Sequence, residues 1–190
     1  MAQEIEVRTT SIPETKPNQT DELFQKLHEY YSQTLPEQGF KQDDDPNMWE
    51  NPASRQGLYI ISTKDSLAIE WHEKDEQKRV KAAYKLIYIP DQNLFALYDT
   101  SDPTDEGIEL WSLDNINPKD FEYIINAGLL SPEFIVATSP QTLKTIIEAV
   151  IEAENHPTTR NKAKARMLLT ASRIPGARHL INWWLKHKSS

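Results

Sequence analysis

Between residues 57 and 113 the chain runs in short alternations of apolar and polar residues separated by turn-forming ones, and this stretch organises what lies on either side of it. Residues 57–63 (GLYIIST) and 66–72 (SLAIEWH) are two β-rich runs separated by Lys64 and Asp65, a gap of hairpin length. From Val80 to Ile89 one set of alternate positions carries Val80, Ala82, Tyr84, Leu86 and Tyr88, and the other carries Lys81, Ala83, Lys85, Ile87 and Ile89. One face is therefore aromatic and the other begins with lysines, which suits a sheet with one face mainly covered. Pro90, Asp91, Gln92 and Asn93 supply turn chemistry before residues 94–100 (LFALYDT), because proline fixes φ and the Asp and Asn side chains bond nearby backbone. A second loop, residues 102–107, leads into residues 108–113 (IELWSL). Five strands this closely connected predict an antiparallel meander, since parallel pairing needs a crossover of about a dozen residues or more.

The flanks read as helices. Thr20 or Asp21 caps a helix running to about Thr34, with Leu23, Leu27, Tyr30 and Tyr31 on one stripe that covers a face of the sheet. Residues 35–56 mix Pro36, Gly39, Pro46 and Pro52 with Asp43, Asp44 and Asp45, and read as a long loop with at most a short edge strand near 39–41. After the sheet, Asn117 and Pro118 open a helix with Phe121, Ile124 and Ile125 as its buried stripe and Gly128 at its end. Residues 129–138 fit a sixth strand or a helical turn started by Pro132, and the pattern alone does not choose. Ser139 and Pro140 start the strongest helix of the chain, with Leu143, Ile146, Ile147, Val150 and Ile151 at helical spacing and Pro157 beyond its end. The fold expected is α+β: a five-stranded, mainly antiparallel meander sheet with an N-terminal helix and a C-terminal helical segment. Residues 1–19 read as a mobile arm, 20–154 as an acidic α+β domain, and 155–190 as a basic helical segment packed on that same domain.

Composition matters here through its distribution. The 190 residues include 21 Lys and Arg against 29 Asp and Glu, but residues 155–190 hold Arg160, Lys162, Lys164, Arg166, Arg173, Arg178, Lys186 and Lys188 and no carboxylate. The body therefore carries about −16 and the tail about +8, a split that fits contact with nucleic acid or an anionic surface and equally the docking of the tail on the acidic body of its own chain or of a second copy. A helix capped by Thr158 or Thr159 and running to about Ile174 places Ala163, Met167, Ala171 and Ile174 on an inner stripe, with Lys162, Arg166 and Arg173 on the outer side. Such a helix suits phosphate contact, because cations that displace counterions from a polyanion gain entropy. After Pro175 and Gly176, residues 177–187 form a shorter amphipathic helix with Leu180, Ile181, Trp184 and Leu185 on one stripe and Arg178, Asn182 and Lys186 opposite. Trp183 and Trp184 fit a core or dimer contact, stacking on unpaired bases, or a weak membrane-interface contact. The three helices from 141 to 187 also have the spacing of a helix-turn-helix unit, without the glycine often found at its turn.

Catalytic signals are sparse. With no cysteine, thiolate chemistry and disulfides are excluded, and there is no P-loop, G-x-G-x-x-G, G-x-S-x-G or H-E-x-x-H motif. Glu70 and His72 share a strand face, and Asp43 to Asp45, Asp99, Asp102, Asp105 and Glu106 offer oxygens for a hard cation such as Mg²⁺, but no spacing gathers them. His28, His156, His179 and His187 lie on separate elements. No cofactor, metal ligand set or catalytic residue is assigned. No run reaches the roughly 20 apolar residues of a spanning helix, and residues 1–11 lack the apolar core of a secretory signal, so a cytoplasmic location is expected.

The sequence therefore favours a non-enzymatic accessory or regulatory protein that binds nucleic acid or a nucleoprotein complex through Arg160, Lys162, Lys164, Arg166, Arg173, Arg178 and Lys186. The alternative is a protein–protein adaptor or assembly factor whose basic tail docks on an acidic partner, with Trp183 and Trp184 as partner contacts and a second copy of the chain among the candidate partners. A metal-dependent enzyme using sheet-loop carboxylates comes third.

Overall fold

A computed structural model describes residues 19–102 and 107–174. The element order is α1 (Gln19–Thr34), β1 (Lys41–Gln42), β2 (Met48–Asn51), β3 (Gln56–Ser62), β4 (Leu67–Lys74), β5 (Val80–Ile89), β6 (Leu94–Asp99), β7 (Ile108–Leu113), α2 (Pro118–Asn126), α3 (Pro132–Ala137), α4 (Pro140–Asn155) and α5 (Thr159–Arg173). The strands form one sheet in sequence order, every neighbouring pair antiparallel.

Among the described residues, the expected sheet of five strands is corrected to seven, and the single C-terminal helical segment to four helices after the sheet. The two added strands lie in the stretch that reads as a long loop. Pro46 and Pro52 stand just outside β2, so neither removes a ladder donor from it. Trp49 is buried opposite Leu58 and packs against Tyr31 and His28, giving this four-residue strand a core anchor that no alternating pattern signals. The turn before it is held by the acidic triplet: Asp43 Oδ1 accepts the Asp44 N–H and Asp45 Oδ1 the Asn47 N–H. In 129–138 the helical alternative holds. Ser131 Oγ accepts the Phe134 N–H, and Pro132 sits at the first turn, where its missing N–H costs nothing.

Register places the core on one face. Ile60, Ile69, Leu86, Leu97 and Trp111 align across β3 to β7, and Ser62, Leu67, Tyr88, Phe95 and Leu113 align beside them. Leu23, Leu27 and Tyr31 of α1, Phe121 and Ile124 of α2, and Ile146 and Ile147 of α4 close over these rows in one continuous cluster. Phe121 stacks on Tyr88 at 4.5 Å and meets Phe95 edge-on at 5.4 Å, which pins α2 to the sheet. The fully buried Tyr31 hydroxyl donates to the Leu130 carbonyl at 2.7 Å, so α1 also fixes the link from α2 to α3. The other face carries the row Tyr59, Glu70, Lys85, Tyr98 and Glu109, in which Glu70 and Lys85 pair at 2.6 Å.

The inner stripe expected for α5 is also corrected. The helix turns Ala165, Leu168 and Ser172 inward, while Ala163 is exposed and Met167 and Ile174 are each 51% exposed. Two consecutive leucines decide this: burying Leu168 and half of Leu169 removes more apolar surface from water than Ala163 and Met167 would. Ala165 and Leu168 join the cluster that spans the sheet and α4.

Candidate functional site

Helices α2, α4 and α5 enclose a groove of about 690 Å³. Its floor is Val150 and Ala153 of α4, one wall is Tyr123, Asn126 and Ala127 of α2, and the other is Lys162, Ala165, Arg166 and Leu169 of α5. Each wall has a local cause. Helix α2 starts in a reciprocal cap: Asn117 Oδ1 accepts the Lys119 and Asp120 N–H groups, while Asp120 Oδ2 accepts the Asn117 N–H. Its buried stripe faces the sheet, which leaves Tyr123, Asn126 and Ala127 on the flank toward α5. Helices α4 and α5 form a hairpin across His156, Pro157 and Thr158, closed by Thr158 Oγ1 accepting the Asn161 N–H and by Asn161 Nδ2 donating to the His156 carbonyl.

Two tethers set the spacing of the walls. Asn155 Nδ2 at the end of α4 donates to Asp120 Oδ1 at the start of α2 (2.7 Å). The Arg173 guanidinium at the end of α5 donates to the Ala127 carbonyl just past α2 (3.4 Å), where a cation also meets the negative end of the helix. The start of α2 thus lies beside the end of α4, and the end of α2 beside the end of α5. The two walls run parallel over an antiparallel floor.

The charges are placed unevenly. At about 100° and 1.5 Å per residue, Lys162, Arg166 and Arg173 fall within about 40° of one another along about 16 Å of α5. Arg160 and Lys164 lie on its other flank. All five are exposed, and among the described residues none pairs with a carboxylate. By contrast Lys26, Arg55, Arg79, Lys81 and Lys85 each have an acidic partner. On α2, Lys119 lies 5.6 Å from the Tyr123 ring centre at the rim of the groove, and this contact with the Tyr123 hydroxyl side raises its pKa. Glu154 is the one carboxylate among the residues that line the groove.

Of the nucleic-acid and partner residues expected from sequence, the structure brings Lys162 and Arg166 together on the groove wall and places Arg173 at its end. Arg178, Lys186, Trp183 and Trp184, with the helix expected at 177–187, lie outside the described residues, as does the arm up to residue 18. Sequence reading missed Tyr123, Asn126 and Ala127, whose i, i+3, i+4 spacing on α2 is visible only once Phe121, Ile124 and Ile125 are assigned to the core.

The carboxylates considered for metal do not converge: among the described residues no group of three or more His, Asp or Glu side chains is placed to hold an ion. Asp99 Oδ1 accepts the Ser101 N–H, Glu70 pairs with Lys85, and Asp105 and Glu106 lie outside the described residues. His72 lines a second hollow of about 400 Å³ at the tips of the hairpins β2–β3 and β4–β5, together with Glu50, Arg55, Lys74 and Lys78. Its ring lies across Gly57, where any Cβ would overlap it. Burial, then Lys74, pushes its pKa below the usual histidine value, opposed by Glu50 and Glu70. His28 donates to the Pro46 carbonyl at 3.0 Å between Phe24 and Trp49, a contact that ties α1 to the start of β2. Among the described residues no helix is long and apolar enough to cross a membrane. Compared with protein-family models, curated proteins and solved structures, the chain matches none.

Proposed function

We propose that the protein acts by binding, as an adaptor or assembly factor that holds an acidic protein partner against α5. The observation that supports this reading is the row Lys162, Arg166 and Arg173 beside a groove whose floor is Val150 and Ala153, with no carboxylate paired to any of the three among the described residues. A carboxylate-bearing partner meets both features at once: its charges face the row, and its apolar side chains reach the half-buried Leu169 and Tyr123. The acidic body repels polyanions that wrap, so the basic helix sets a single direction of approach.

Nucleic acid is the second reading. It is favoured by the five exposed cations of α5, none paired with a carboxylate among the described residues, which need no groove to contact phosphates. The two readings separate in one experiment. The native chain and a variant carrying Arg160→Glu, Lys162→Glu, Lys164→Glu and Arg166→Glu are immobilised and exposed to cell extract with and without nuclease. Capture of a protein that survives nuclease, is lost from the variant and is rebuilt from the two purified components supports the adaptor. Capture abolished by nuclease supports the second reading. Proteins retained equally by both chains overturn both.

A further inference from the structure

We infer that the groove between α2 and α5 is the seat of an acidic amphipathic helix of the partner, lying over α4 as the fourth member of a helical layer; this rests on the adaptor reading above. Three observations define that occupant. The first is shape. Lys162 to Leu169 spans about 10 Å of α5, roughly two turns, which is the length over which a docked helix places anchors at i, i+3, i+4 and i+7. The walls run parallel, tethered by Asn155 to Asp120 at one end and by Arg173 to Ala127 at the other, so the slot has a fixed width before anything enters it.

The second is depth. Val150 and Ala153 are buried in the floor, and Ala127 and Ala165 are the small side chains that meet them from the walls. Small residues along a floor let an incoming helix approach closely, with its larger side chains directed at Leu169 and Tyr123. The exposed Asn126, Lys162 and Arg166 leave the groove open along its length, whereas a small-molecule site encloses most of its ligand.

The third is charge. Lys162 and Arg166, four residues apart on one wall, face an occupant whose carboxylates repeat at i and i+4, and Lys119 lies over the ring of Tyr123, a residue of the other wall. Glu154 of the floor sets a side: the partner's carboxylates belong along α5, over Lys162 and Arg166, and its apolar side chains over α4. The same charges argue against the chain's own residues 175–190 as the occupant, since that segment carries Arg178, Lys186 and Lys188 and no acid.

The test uses the full-length chain and two fluorescein-labelled peptides of about 14 residues, built on helix-length repeats. Both carry leucine at i, i+3, i+4 and i+7. One has glutamate at the flanking positions, and the other lysine at the same places. The acidic peptide should bind at least about tenfold more tightly than the basic one, and its affinity should fall as salt rises from about 50 to 200 mM. Asn126→Trp fills the groove from an exposed position without altering charge, and should weaken the acidic peptide about tenfold or more while leaving thermal unfolding unchanged. Lys162→Glu with Arg166→Glu should reverse the preference between the peptides. Binding abolished by the charge reversal but untouched by Asn126→Trp overturns the groove and leaves the adaptor reading standing. No preference between the peptides overturns both, and oligonucleotide binding lost only in the charge reversal then returns α5 to phosphates.

Discussion

Replacing Asp120 by alanine tests the joint on which the groove depends. Asp120 is 2% exposed and serves two partners: Oδ2 takes the Asn117 N–H at 3.0 Å and Oδ1 takes Asn155 Nδ2 at 2.7 Å. A hydrogen bond to a charged group contributes about 1.5 to 3 kcal/mol when its loss strands the donor, and a carboxylate in the first helical turn adds about 0.3 to 1 kcal/mol. Burying the charge offsets part of this. Asn117 keeps its own capping bonds to Lys119 and Asp120 backbone, so the helix start survives in part. The net loss for Asp120→Ala is therefore about 2 to 4 kcal/mol. Asn155→Ala removes one bond from an exposed residue and should cost about 1 to 2 kcal/mol. Urea unfolding followed by tryptophan fluorescence reads both as shifts of the midpoint at unchanged slope. In thermal unfolding a loss of 3 kcal/mol appears as about 6 to 12 °C at this chain length. Because the two side chains form one contact, the double variant should cost about 1 kcal/mol or more less than the sum of the singles. An Asp120→Ala chain within about 0.5 kcal/mol of native, or a strictly additive double variant, would refute the argument that this joint holds α2 to α4.

The α5 register gives a second check: Leu168→Ala should cost about 2 to 5 kcal/mol, whereas Met167→Ala, one residue earlier and 51% exposed, should stay within about 0.5 kcal/mol. Equal costs in denaturant titrations would mean that the helix is turned wrongly. Gly57→Ala should cost about 0.5 to 1.5 kcal/mol by turning the His72 ring off its place, and His72→Ala in the same chain should recover most of that. If His72→Ala recovers nothing, the strain lies in the β3 backbone and not in the ring.

Much of the sheet is legible because β3 to β7 alternate faces over six to ten residues and end at residues that turn: Asn93 has φ 50°, Gly107 φ 99° and Gly128, after α2, φ 72°. Residues with polar side chains that hydrogen-bond backbone, such as Asn117 and Ser139, are equally visible, and both cap helices where their spacing predicts. The strands β1 and β2 escape this logic. Two and four residues carry no period, and their stability comes from Trp49 meeting Leu58, Tyr31 and His28, contacts made by residues nine to 21 positions away.

The α5 error has a different origin and bears directly on function. Ala163, Met167, Ala171 and Ile174 and the true inner set Ala165, Leu168 and Ser172 are both periodic, so spacing alone cannot choose between stripes about 140° apart. Choosing by buried apolar area selects the leucines, and the consequence reaches the cations. With Ala165 inward, Lys162 and Arg166 stand on the flank overlooking α2 and form one wall of the groove. The other wall and the floor belong to segments 30 or more residues apart in places, joined by Asp120 to Asn155 and by Arg173 to Ala127. A charge split along the chain is the ground in the sequence for proposing an anionic partner. In the reading proposed above, the rotation of α5 and the hydrogen bonds Asn155–Asp120 and Arg173–Ala127 are what add an apolar side to the basic row, and they favour an acidic amphipathic helix over a phosphate backbone as the proposed occupant.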